Sequence, residues 1–214
     1  MGLGSRAEHA WWPVGERLRR SASELALSLI RDGSSPPSMF RPQRVKLKDG
    51  RAALLRRPRP ADAHALIATI NAIGAEKVLI MTERLRMTVA QERRFLRSID
   101  PRKVLYLVAE VGGKVVGSAD FARGRFSKDA HTVHLGIAIR KEYRGLGIGK
   151  AMMEAGIGWA RSLGVRKLTL AVFETNEGAI ALYRQLGFAE EARLKGQVIL
   201  RGQPVDEVLM ARWL

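Results

Sequence analysis

The 214-residue chain has no cysteine, which excludes a disulfide framework and any mechanism that passes through an acyl-cysteine. Its four histidines do not stand at ligand spacing from carboxylates, so we expect no metal site. Long apolar runs are also missing, because none approaches the roughly 20 residues of a membrane-spanning helix. There is no signal-peptide pattern. We therefore predict a cytoplasmic protein that does not act at a membrane.

Acidic residues are scarce relative to basic ones. The chain has 37 Lys and Arg against 21 Asp and Glu, a formal net charge of +16, which favours polyanionic ligands. Residues 1–44 are basic and contain a linker-like run, Gly33–Ser38, with Trp11 and Trp12 ahead of it. We expect a loosely ordered extension there, and an RNA-binding arm is the less favoured alternative. Residues 45–214 are predicted to form one domain.

The segment Arg144–Lys150, RGLGIGK, carries the strongest functional signal. It follows an apolar, strand-like run, Val133–Ile139, and opens a helical pattern. Its alternating glycines leave backbone N–H groups accessible, and the helix start adds unpaired amides and the positive end of the dipole. Together these groups suit a diphosphate. A dinucleotide fingerprint would need glycine at Lys150, and a P-loop would need glycine at Arg144, so both alternatives fail.

A second pattern follows the apolar run Leu168–Val172. It reads N-x-x-A-x-x-L-Y-x-x-x-G-F and extends from Asn176 to Phe188. Asn176 is predicted to cap a short helix that carries Tyr183, and Gly187 is predicted to end that helix.

With R-x-x-G-x-G in the first segment, the two motifs resemble those of the GNAT superfamily of N-acetyltransferases, of bacterial or archaeal type. The resemblance implies an α+β fold of mixed α/β arrangement. Its central, mostly antiparallel sheet would be splayed at the acyl-CoA site and flanked by helices. It also implies acetyl-CoA as co-substrate and direct acetyl transfer to a primary amine, on a small molecule or on a protein N-terminus or lysine.

The order of patterns agrees with that fold over residues 45–214. It reads strand, two helices, three strands, helix, strand, helix and two strands. The two early helices are predicted to begin after Asp62 and at a capping box on Thr88. Hairpin turns are predicted at Gly112–Gly113 and at Arg201–Pro204.

The resemblance also implies roles for individual residues. Tyr183 would be the general acid for the departing thiolate, and Asn176 would bind the pantetheine arm or a bound water. The backbone of strand Leu135–Ile139 would pair with pantetheine amides, with contacts from Ile137 and Ile139. The pyrophosphate cradle would comprise Arg144, Gly145, Gly147, Ile148, Gly149 and Lys150.

The general base is the open assignment. His134 shares a strand face with Gly136 and Ala138, so it is predicted to face the cleft. The ordinary pKa of an imidazole, near 6.5, suits a base at neutral pH. Three carboxylates on neighbouring strands are the alternatives: Glu110, Asp120 and Glu174.

The acceptor amine is suggested only by the loop Phe121–Lys128, which lies between two predicted central strands. Its Arg123 and Arg125 favour an acceptor with a carboxylate, such as an amino acid. A polyamine would be repelled by a cationic protein unless a local acidic cleft overrides that repulsion. The resemblance also allows a homodimer. The alternative function is a non-catalytic module that senses acyl-CoA or docks on RNA, and Tyr183 argues against it.

Overall fold

The computed structural model describes residues 40–214, so the predicted RNA-binding arm lies outside the described residues except for its last few positions. The described residues form eight strands and four α-helices, which confirms the α+β class. In chain order these are β1 Gln43–Lys46, β2 Ala52–Arg56, α1 Ala63–Gly74, α2 Val89–Ser98, β3 Val104–Val111, β4 Lys114–Arg123, β5 Thr132–Ile139, α3 Ile148–Ser162, β6 Lys167–Phe173, α4 Glu177–Gln185, β7 Ala189–Leu200 and β8 Gln203–Trp213.

The first element differs from the sequence prediction. One strand was expected before the helices, but the chain forms a hairpin of β1 and β2. Its turn is closed by the Leu47 amide, which donates to the Arg51 carbonyl at 2.8 Å, and Gly50 takes a φ of +86°. Asp49-Gly50 is a hairpin signal in its own right, since such turns need positive φ. The single-strand prediction was wrong because that signal was not used.

The predicted helix starts and turns are otherwise found. Thr88 Oγ1 accepts from the Gln91 amide at 3.2 Å, and Gln91 Oε1 accepts from the Thr88 amide at 2.8 Å, which confirms the capping box. The last turn is shorter than predicted, because Gln203 already belongs to β8. Arg201 and Gly202 both have positive φ, at 51° and 79°, as a two-residue hairpin turn requires.

The sheet is splayed in its centre, as predicted. Its strand order is β1-β2-β3-β4-β5-β6-β8-β7, and only β5 and β6 are parallel neighbours. They pair over three positions, from Thr132 with Lys167 to His134 with Thr169. Beyond that point no strand in residues 40–214 pairs with the β6-facing edge of Leu135–Ile139. The backbone polar groups along this edge are therefore available to a ligand.

Helices cover both faces of the sheet. Helices α3 and α4 pack on one face against residues such as Leu105, Leu107 and Phe121. Helices α1 and α2 cover the other face beside Val104 and Tyr106. None of the helices in residues 40–214 is long and apolar enough to span a bilayer.

A close contact at Gly156 on α3 gives a stability prediction. A Cβ there would lie 2.0 Å from ring atoms of Phe121, whose side chain is fully buried in the sheet. We expect Gly156→Ala to lower the free energy of unfolding by about 2 kcal/mol or more, since the core cannot yield without strain. Urea denaturation measures it.

Gly158, two residues further along the same helix, is the matched control. No described atom lies within 4 Å of a Cβ placed there. Gly158→Ala should therefore raise stability by about 0.5–1 kcal/mol through helix propensity alone. Equal effects of the two substitutions would contradict the packing of α3 on Phe121.

Candidate active site

A groove of about 640 Å³ opens where β5 and β6 separate, and we call it the outer groove. Strand β5, the loop after it, the start of α3 and helix α4 line this groove. It brings together nearly all the residues predicted to bind the cofactor: Ile137, Ile139, Arg144, Gly145, Gly147, Gly149, Lys150 and Asn176. Ile148 differs, because its side chain is 1% exposed and belongs to the core, which leaves only its backbone amide for a ligand.

The glycine loop requires glycine for its backbone conformation. Gly145 and Gly147 have φ values of +73° and +98°, which L side chains rarely adopt, although a Cβ at either would meet no described atom within 4 Å. Gly147 is the N-cap of α3 and offers no side-chain cap, so the first amides of the helix remain available. The loop is thus an anion site at the positive end of a 15-residue helix.

Arg144 braces this loop. Its Nε donates to the Ile139 carbonyl at 2.8 Å, and its Nη1 donates to Glu76 Oε2 at 2.8 Å, just beyond α1. The Arg144 guanidinium lowers the pKa of the Glu76 carboxyl. Arg144 lines the groove, but its charge is already shared with Glu76, so its predicted contact with a pyrophosphate stays a prediction.

Two exposed lysines supply further charge at the groove. Lys150 was predicted, and its Nζ lies 3.9 Å from Glu154 Oε1. Lys48, in the turn between β1 and β2, was missed by sequence reasoning. Its amide donates to the Leu146 carbonyl at 3.2 Å, which ties that turn to the glycine loop. No local signal marks Lys48, because its place depends on the hairpin.

Helix α4 closes the other side of the groove. Asn176 Oδ1 accepts from the Ala179 amide at 3.3 Å, which confirms the predicted cap. Tyr183 is 5% exposed and its ring lies 6.0 Å from that of Phe188. Burial raises the pKa of the Tyr183 phenol well above its ordinary value. The phenol therefore keeps its proton at neutral pH, as an acid must.

A second cavity of about 140 Å³, which we call the inner cleft, lies on the α1 and α2 face of the sheet. It is continuous with the outer groove at the gap between β5 and β6. Six residues line both cavities: Leu79, Ile80, Ile137, Ala138, Asn176 and Tyr183.

Two of the four candidate bases reach the inner cleft. Asp120 stands opposite Gly136, and His134 stands opposite Ala122, so both project from the same face. His134 Nδ1 lies 3.1 Å from Thr169 Oγ1, which orients the imidazole.

Glu110 and Glu174 do not line the cleft. Glu110 Oε2 accepts from Arg56 Nη2 at 2.7 Å. Glu174 Oε1 accepts from the Asp206 amide at 2.9 Å, and its Oε2 accepts from Arg193 Nη1 at 3.1 Å. Both carboxylates therefore serve the fold.

Glu207 is the acidic residue of the cleft that sequence reasoning missed. It lies on β8 opposite Phe173 and is 3% exposed. A signal existed, because Val205, Glu207 and Leu209 alternate onto one strand face, and a lone carboxylate on an otherwise apolar face is unusual.

The two arginines predicted to bind a carboxylate lie elsewhere. Arg123 Nε donates to the Ala130 carbonyl at 2.6 Å, and Arg125 is exposed. Within the described part of the chain, neither Lys nor Arg lines the inner cleft. Across residues 40–214 there is also no group of three His, Asp or Glu arranged to hold a metal ion.

Residues 78–188, just over half of the chain, match the acetyltransferase (GNAT) family. The L-amino acid N-acetyltransferase of Escherichia coli strain K12 is 30% identical over 120 residues, which cover 54% of this chain and 72% of that protein. Across three curated relatives, the matched stretch spans 42%, 72% and 59% of the relative's length.

Solved structures share the whole domain. A GNAT-family acetyltransferase from Streptococcus pneumoniae superposes with a TM-score of 0.71 at 27% identity, covering 76% of this chain and 99% of that one. A phosphinothricin acetyltransferase from Sinorhizobium meliloti, solved with AcCoA, gives 0.68 at 27% identity, covering 76% and 88%. The chain therefore belongs to the GNAT family of acetyl-CoA-dependent acetyltransferases.

Proposed function

We propose that this chain transfers the acetyl group of acetyl-CoA to a primary amine by direct attack. The observation that carries the proposal is the gap between β5 and β6, where the outer groove and the inner cleft meet beside Tyr183. A diphosphate on the glycine loop directs the thioester towards this gap, and an amine in the inner cleft reaches it from the opposite side. The E. coli relative is named for L-amino acids, so an amino acid is the first acceptor class to compare.

The residues of the cleft address the main barrier to this reaction. An alkyl amine with a pKa near 10.4 is neutral in about one molecule per thousand at pH 7, a cost of about 4 kcal/mol. We assign the base to His134, whose Nδ1–H donates to Thr169 Oγ1 so that Nε2 accepts the amine proton.

The remaining steps balance without a covalent enzyme intermediate. The neutral amine forms the new C–N bond, and collapse of the tetrahedral adduct breaks the C–S bond. Tyr183 protonates the leaving thiolate, and the nitrogen loses its second proton. An alkylammonium and acetyl-CoA thus become an amide, CoA and one released proton. The homodimer, the RNA-binding arm and the cytoplasmic location stay predictions.

The first prediction concerns Tyr183. Tyr183→Phe should lower kcat by about 10²–10⁴-fold, because the thiolate loses its proton donor, with little change in the KM for acetyl-CoA. CoA release, followed with a thiol-reactive dye, measures it, and the cysteine-free protein adds no background.

A fully active Tyr183→Phe would contradict the assignment of the acid. Binding of acetyl-CoA, read from the rise in melting temperature, is the internal control, since the ring and its packing remain. If the unsubstituted protein binds acetyl-CoA and acetylates no amine, the non-catalytic sensing module replaces the proposed enzyme.

The second prediction concerns the base. In the unsubstituted protein kcat/KM should fall on the acid side as the imidazole of His134 takes up a proton. His134→Gln should lower kcat/KM by about 10²-fold or more and remove that acid limb. The exposed His64 on α1 is the matched control, and His64→Gln should change neither the rate nor the profile. An acid limb that persists in His134→Gln would transfer the role to Asp120 or Glu207.

The third prediction concerns the anion site. Gly147→Ala forces a side chain into a φ of +98°, at a cost of about 1–3 kcal/mol, so the loop must shift. We expect the KM for acetyl-CoA to rise about tenfold or more. The acetyl thioester of N-acetylcysteamine, which lacks the diphosphate, should show no such change. Gly158→Ala serves again as the control, and equal losses for both thioesters would contradict the diphosphate assignment.

A further inference from the structure

The inner cleft is acidic in a protein whose net charge is +16. Its lining holds two carboxylates, Asp120 and Glu207, and in the described chain no Lys or Arg to balance them. The other cleft positions are largely apolar, with Ile70, Leu79 and Met81 among them. Such a site attracts a cation, against the long-range field of the protein.

Glu207 gives independent evidence that a ligand completes the site. The residue is 97% buried, and its Oε2 has no hydrogen-bond partner within residues 40–214. Burial without a partner raises the pKa of the Glu207 carboxyl above its ordinary value. A buried polar atom in this state is destabilising unless something else satisfies it. The cleft it lines is the one place from which that partner can come.

We infer that the inner cleft binds a small aliphatic primary amine with no carboxylate beside its nitrogen, and that Glu207 and Asp120 hold its ammonium group. This inference rests on the proposed function, because it names the acceptor class for that reaction. The alkyl stem lies against the apolar side chains, and the ammonium meets the carboxylates. His134, in the same cleft, then takes the proton.

An α-amino acid fits the cleft less well. Its carboxylate would enter beside Asp120 and Glu207 with no cation to receive it, and like charges in a site of low dielectric repel strongly. The arginines that could have received it, Arg123 and Arg125, do not line the cleft. The cavity of about 140 Å³ also favours a short alkyl stem over a large acceptor.

The test compares two amines that differ only in the carboxylate. The compound n-pentylamine has the alkyl stem of L-norleucine without its α-carboxylate. We expect kcat/KM for n-pentylamine to exceed that for L-norleucine by tenfold or more, measured as CoA release. Further arms use 1,5-diaminopentane and a lysine flanked by blocked termini, which distinguish a free diamine from a protein side chain. L-norleucine used as well as or better than n-pentylamine would overturn the inference while leaving acetyl transfer intact.

Binding separates this inference from the proposed function. Calorimetry of the protein saturated with CoA should show n-pentylamine binding more tightly than L-norleucine, whether or not turnover follows. Binding of the amine without CoA release from acetyl-CoA would support the cleft assignment and refute acetyl transfer. If n-pentylamine neither binds nor reacts, the inference is wrong.

Substitution of the carboxylate tests the recognition itself. Glu207→Gln should lower kcat/KM for n-pentylamine tenfold or more and for L-norleucine much less, so the preference between them should shrink. A purely structural role would lower both rates together, and that result would overturn the inference. Asp120→Asn provides a second variant if Glu207→Gln does not fold. Glu191→Gln, at an exposed carboxylate on β7, is the matched control and should leave the ratio unchanged.

Discussion

The loss of pairing between β5 and β6 is the constraint on which the rest of this structure depends. After His134 and Thr169 the two parallel strands separate, and the edge of Leu135–Ile139 is left without a strand neighbour among the described residues. That edge would be costly inside a core, because backbone polar groups need partners. Here it faces an open groove, so an acyl-CoA arm can complete the ladder. The same gap joins the two cavities and lets Tyr183 approach from one side while His134 approaches from the other.

The electrostatics divide along this gap. On the groove side, the amides at the start of α3 and the exposed Lys48 and Lys150 favour a polyanion. On the cleft side the charged groups are carboxylates. A basic protein can therefore collect a highly charged nucleotide at its surface and still accept an ammonium ion in its interior. The average charge of the chain describes the first ligand and says nothing about the second.

Local patterns predicted the parts of the site that neighbouring residues build. The glycine loop and the Asn176 cap were predictable, because positive φ and helix capping depend on adjacent positions. Contacts between distant segments were not predictable. Arg144 pairs with Glu76, 68 residues earlier, and Glu207 reaches the cleft only through the register of β8 on β6. The arginines of the β4–β5 loop misled the acceptor prediction, since sequence position does not fix the direction in which a loop side chain points.

The register of β5 against β4 limits how this chain can vary. Side chains alternate along β5, so His134 and Gly136 face the cleft while Val133 and Leu135 enter the core. A slip of one residue would exchange the two sets, placing an imidazole in the core and leucine in the site. Length changes within this strand are therefore lethal to folding and to catalysis at once. Insertions can be tolerated in the exposed loop before it, which makes that loop the natural place for evolution to alter the rim of the cleft without disturbing the chemistry beneath.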